Sequence, residues 1–136
     1  ISTLPSSPNG VLVQGDRLYI ASWGVMSDRP EERAEWVTKT AGDLYWVSLK
    51  DSTKSRHIIV PELGNLDGVE IDQKGNIYVS DWESGKLYKI SSGTKTVISL
   101  GQYGQGLADI GLNLLTGELV LPVMLSSEVL FLATSP

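Results

Sequence analysis

The sequence predicts an all-β chain built from β-propeller blades, and three observations carry that expectation. First, one plan recurs three times. Asn9-Gly10-Val11-Leu12-Val13 precedes Gly15-Asp16-Arg17-Leu18-Tyr19-Ile20-Ala21, and Asp67-Gly68-Val69-Glu70-Ile71 precedes Lys74-Gly75-Asn76-Ile77-Tyr78-Val79-Ser80. Asp109-Ile110-Gly111-Leu112 likewise precedes Thr116-Gly117-Glu118-Leu119-Val120-Leu121. Second, each copy reads as a polar residue, a short apolar strand, a glycine turn and a second apolar strand, and a repeat of about 40–45 residues with four strands is the period of a blade. Third, no sustained helical period appears, and only residues 29–40 hold a turn or two of helix.

The elements follow in order. In the first blade, residues 11–13 and 17–21 form a hairpin about Gly15-Asp16, residues 42–49 the third strand and residues 57–60 the fourth. In the second, residues 69–71 and 77–80 pair about Lys74-Gly75-Asn76, followed by strands over 85–90 and 96–100. Gly, Asp and Asn tolerate φ > 0, which is what tight reversals need. The third blade has strands over 109–112, 116–121 and 128–133 and then stops without a fourth. The expected organisation is a single half-propeller over 1–136, with blades at about 8–60, 66–100 and 107–134 and a strand at 1–4 ahead of the Pro5 and Pro8 loop. That N-terminal strand is expected to complete the third blade, in its own chain or a mate, because an outermost strand removes an exposed sheet edge. Rings typically take about 4–8 blades. Three are too few, so a homodimer closing a six-bladed ring is the expected partner state, covering blade faces that would otherwise be apolar patches.

Composition narrows the function classes. Apolar residues at 41% and charged residues at 20% fit a folded globular chain. There is no cysteine, hence neither a disulfide framework nor a thiolate metal site. A net charge of −5 supplies no basic stripe for a phosphate backbone, so nucleic acid is not an expected partner. The most apolar stretch, residues 119–133, is cut by Pro122, Ser126, Ser127 and Glu128 and reads as two strands, not a membrane span. Residues 1–10 have neither the basic start nor the apolar core of a signal peptide. The chain starts in mid-pattern without an initiator Met, as a piece of a longer propeller would.

Four segments then suggest a family: Ser7-Pro8-Asn9-Gly10, Ala21-Ser22-Trp23-Gly24-Val25-Met26, Gly64-Asn65-Leu66-Asp67-Gly68-Val69-Glu70 and Ser80-Asp81-Trp82-Glu83-Ser84-Gly85-Lys86-Leu87-Tyr88. In this order they resemble the C-terminal half of the six-bladed propellers of the gluconolactonase, regucalcin (senescence marker protein) and luciferin-regenerating enzyme family. The resemblance covers nearly the whole chain. It implies a divalent cation at the top of the channel, with Ca²⁺ first and Mg²⁺, Mn²⁺ or Zn²⁺ as alternatives. The family holds it by a first-blade Glu, the Asn of Pro-Asn-Gly and the Asp of Asp-Gly. Carried over, this gives Asn9 and Asp67 as ligands, with Asp67 also catalytic. The first-blade Glu has no counterpart here. Asp109 occupies the position equivalent to Asp67 one blade later and is the third metal-ligand candidate. The rival reading of each is a turn residue bonding its own backbone.

Two further features bear on function. The link between the second and third strands of the first blade is swollen to residues 24–41 and rich in charge. It can act as a lid, with Trp23, Arg29 and Trp36 as substrate-binding candidates, or be a solvated helical turn with local charge pairs. His57 is the only histidine and falls on an outermost strand, so no Ser-His-Asp arrangement can be assembled. Trp46, Tyr45, Tyr78 and Tyr88 read as packing between blades. Two functions remain open: a metal-dependent hydrolase of lactones or related small esters, and a non-catalytic half-propeller that binds or assembles after losing the first-blade ligand.

Overall fold

Alternation and glycine turns give three antiparallel sheets. The computed structural model describes residues 6–51, 53 and 55–134, and the strand expected at residues 1–4 lies outside the described residues. The chain divides into two compact units, residues 1–66 and 67–136.

The first unit is one blade. Its strands β1 (Ser7–Gln14), β2 (Arg17–Met26), β3 (Thr38–Ser48) and β4 (Arg56–Gly64) lie side by side in chain order. Gln14 pairs with Arg17 across the Gly15-Asp16 turn, as the turn residues require. Register then shifts between Pro8 and Gly10, so that Asn9 is an extra residue without a cross-strand partner, on an edge strand where Pro8 leaves no ladder bond unmade. On one face Ile20, Tyr45 and Val47 form a buried cluster with Leu18 against it. The Arg56 guanidinium lies 5.1 Å from the Tyr45 ring centroid and bonds the Asp43 carboxylate at 3.3 Å. On β2 to β4 the Trp46 ring carries His57 stacked at 4.0 Å and 12°, and the Arg17 guanidinium at 4.3 Å. His57 therefore serves packing.

The swollen link proves shorter than its sequence suggests. The β2–β3 ladder continues through Gly24↔Ala41, Val25↔Thr40 and Met26↔Thr38, and only the short helix α1 (Pro30–Ala34) and its flanks stand outside it. Pro30 sits in the first turn, where its missing N–H is harmless, and Glu31 and Glu32 meet the positive helix end.

The second unit holds two sheets. One runs β5 (Leu66–Ile71), β6 (Ile77–Asp81), β7 (Lys86–Ile90) and β8 (Val97–Gln102) in chain order. The other has three strands, β9 (Gly111–Asn113), β10 (Glu118–Val123) and β11 (Glu128–Ala133), with β10 central. No fourth strand follows among the described residues. Leu119, Leu121 and Val123 alternate onto one face of β10 and pack with Tyr78, Leu87, Leu107 and Ile110 in a shared core. The other face of β10 and β11 is open, with Phe131 67% and Val129 55% exposed. No helix among the described residues is long and apolar enough to cross a membrane.

Candidate functional site

The inner strands carry the candidate ligands at their starts. Asn9 is the bulged, exposed residue of β1, and its Nδ2 donates to the Leu66 carbonyl at 3.2 Å. That fixes the amide and leaves its oxygen as the end able to meet a cation. In the second unit Asp67 is the second residue of β5, and Asp109 lies two residues ahead of β9.

Gly68 brings these two strand starts together. A Cβ on Gly68 would lie 2.4 Å from the Ile110 nitrogen and 3.0 Å from Asp109 Oδ1, so the β5 backbone runs directly against the Asp109–Ile110 backbone. The Ser80 hydroxyl fastens the approach: it accepts the Gly68 N–H at 2.7 Å and donates to the Ala108 carbonyl at 2.8 Å. Alternation along β5 sends Gly68 and Glu70 to one face and Asp67 to the other. Glu70, a residue the sequence reading passed over, is thus the carboxyl that shares Asp109's surroundings. Burial, and then the Asp109 charge, push its pKa above the ordinary carboxylate value. Among the described residues no three His, Asp or Glu gather closely enough to hold a metal ion. The donors at the strand starts are nevertheless all oxygen, which is the chemistry Ca²⁺ and Mg²⁺ prefer, and a bound ion would need amide, carbonyl or water oxygens beside these carboxylates.

The three substrate-binding candidates surround α1 in the first unit. Trp23 and Trp36 meet edge to face, with centroids 6.4 Å apart at 76°, and Trp23 Nε1 donates to the Trp36 carbonyl at 3.0 Å. Asn65 Nδ2 in turn holds the Trp23 carbonyl at 2.8 Å. Trp36 adopts φ 61°, a left-handed backbone that bulky residues rarely occupy, and is 66% exposed. Arg29 stands apart from this pair. Its guanidinium is ion-paired with Glu32, whose carboxylate also accepts the Ser27 hydroxyl. The charged part of the link is thus a helical turn closed on itself. The Asp81 that opens Asp81-Trp82-Glu83-Ser84-Gly85 is structural in the same sense: its carboxylate accepts the Glu83 and Ser84 N–H groups and the Ser84 hydroxyl.

No protein-family model matches the chain, and no curated protein sequence is significantly similar to it. Solved structures are similar in fold. One is an auxiliary nutrient binding protein from Bacteroides thetaiotaomicron VPI-5482, with a TM-score of 0.66 at 15% identity over 91% of this chain and 28% of that one. Another is streptogramin B lyase, with a TM-score of 0.52 at 13% identity over 96% of this chain and 56% of that one. The chain spans about a quarter and about half of their lengths. At such identities the likeness establishes the β-propeller scaffold. The same fold carries a binding protein and a lyase, so it does not choose a function.

Proposed function

We propose that this chain is half of a six-bladed, cation-dependent hydrolase of lactones or related small esters. The observation that carries the reading is that each of the three inner strands has an oxygen-bearing side chain at its entrance: Asn9 is the third residue of β1, Asp67 the second of β5, and Asp109 lies two residues ahead of β9. Its support is the ordered resemblance to gluconolactonase-type propellers. When bound, the cation polarises the ester carbonyl and acidifies a water. Asp67 supplies an anionic ligand and a base for that water's proton and the Asn9 amide oxygen a neutral ligand, while Asp109, set against the Gly68 face of β5, stands as the third candidate. Calorimetry with Ca²⁺, Mg²⁺, Mn²⁺ and Zn²⁺ on wild type and Asp67→Ala, beside a lactonase assay, tests it. Loss of binding and hydrolysis is expected in Asp67→Ala, with Asn9→Ala weaker in effect. Equal binding or activity in wild type and Asp67→Ala overturns the reading.

A second reading, a non-catalytic binding module, is favoured by Trp36. A ring braced by Trp23, on a backbone in a rare conformation and two-thirds exposed, is a prepared stacking surface. Cation binding by wild type without hydrolysis of any lactone tested would move the choice to this reading.

A further inference from the structure

The second unit carries a separate site at the far ends of its inner strands, where β5 turns into β6 and β9 into β10. A cavity of about 290 Å³ lies between these turns, lined by Asp72, Lys74, Lys89, Leu112 and Thr116 among others. A second of about 190 Å³ shares Lys89 and Thr134 with it and continues along Tyr78, Leu100 and Leu132. Together they form a groove with a charged end and an apolar end.

The groove is held open by its own bonds. Gln73 Nε2 donates to the Leu114 carbonyl at 3.1 Å, tying one turn to the other. The Asp72 carboxylate accepts the Lys74 and Asn76 N–H groups, Asn76 Nδ2 and the Tyr78 hydroxyl at 2.8–3.1 Å. Asp72 is thereby committed to its turn. Neither Lys74 nor Lys89 has an ion-pair partner among the described residues. Lys89 Nζ lies 5.7 Å from the Tyr78 ring centroid, where the two cavities join. Two lysines and one aspartate leave one net positive charge around the larger cavity (2 − 1 = 1). That balance suits a monoanion better than a doubly charged phosphate.

We infer that this groove binds a small amphipathic monocarboxylate, its carboxylate between Lys74 and Lys89 and its apolar tail along Tyr78, Leu100 and Leu132. The proposal is independent of the hydrolase reading, and its test is run in EDTA. Hexanoate is titrated into the ¹⁵N-labelled chain, with acetate, hexan-1-ol and inorganic phosphate as comparison probes. Saturable shifts at Lys74, Lys89, Thr116 and Leu132 are expected, with the comparison probes at least about tenfold weaker because each lacks the tail, the charge or the matching valence. Lys89→Gln is expected to weaken hexanoate about tenfold while keeping the native spectrum, Lys89→Arg to retain most of the affinity, and added salt to weaken it. Hexan-1-ol or phosphate binding as tightly as hexanoate overturns the proposal. So do shifts confined to other residues, absence of saturable binding, or a folded Lys74→Gln, Lys89→Gln double variant equal to wild type.

Discussion

Gly68→Ala is the substitution whose effect the structure fixes most tightly. The added Cβ would stand 2.4 Å from the Ile110 nitrogen and 2.9 Å from the Asp109 Cα, where ordinary contact begins near 3.4 Å. The shortfall is about 1 Å against main chain on the facing segment, and no rotamer can relieve it. Gly68 is not among the residues with positive φ, so the penalty is steric. Overpacking of this kind costs about 3 kcal/mol. Part of it comes from the Ser80 bridge, since moving β5 away loosens the Gly68 N–H and Ala108 carbonyl that one hydroxyl joins. Urea denaturation should show that loss, with a melting temperature about 10 °C lower. Gly93→Ala is the control. Its φ is 82° with nothing within 4 Å, so the cost there is conformational and about 1 kcal/mol. If Gly68→Ala is no more damaging than Gly93→Ala, β5 does not lie on the Asp109 segment as described and the link between the two strand starts is wrong.

Three further outcomes are expected. Glu70 has a folded pKa raised above its ordinary value of 4.5 by burial and by Asp109, so the folded state binds its proton more tightly than the unfolded chain does. Stability from this group is therefore full below that value and falls as pH rises through the folded pKa; in EDTA, Glu70→Gln should flatten that fall and be more stable than wild type at neutral pH, by melting across a pH series. Wild type without any such fall between pH 4.5 and neutrality contradicts the burial assigned to Glu70. Light scattering at micromolar concentration should give twice the chain mass, because Val129 and Phe131 on the third sheet and Val11 and Val13 on the first are exposed apolar residues; a stable monomer refutes the closed dimer. Cation binding should vanish in Asp67→Ala by calorimetry, and its persistence would leave Asp67 a turn residue.

The sheets were legible because their chemistry is local. Alternation of Leu119, Leu121 and Val123 with Val120 and Pro122 marks β10, and Gly15 and Gly117 mark reversals whose positive φ the structure shows. The β2–β3 link was misjudged for an equally local reason. Gly24 and Gly42 punctuate a ladder that Val25, Thr38 and Thr40 in fact continue, since glycine in a strand also serves close backbone approach. A Cβ on Gly42 would meet the Ser22 carbonyl oxygen at 1.7 Å. Glu70 was invisible because a polar residue on a half-buried strand reads as solvent-facing. Its nearness to Asp109 arises from a contact between distant segments. The left-handed backbone of Trp36 has no sequence signal, because tryptophan is among the last residues a left-handed position would choose.

What separates a structural aspartate from a chemical one in this chain is where its oxygens go. Asp72 and Asp81 stand in the same polar, glycine-punctuated settings as the site candidates, and both carboxylates are taken up by N–H and hydroxyl donors of their own turns. Asp43 likewise accepts the Glu62 N–H and Arg56 within its sheet. Asp109 differs. It is exposed, it is set against β5 by a glycine that admits no side chain, and its charge is felt by the neighbouring Glu70. Holding two carboxyl groups near each other is unfavourable unless something offsets their repulsion. The backbone accepts that arrangement because Ser80, Gly68 and the packed β10 core determine where the Asp109 segment lies. The repulsion is therefore borne by the fold, and it adds to burial in making Glu70 hold its proton more tightly than a free carboxyl does.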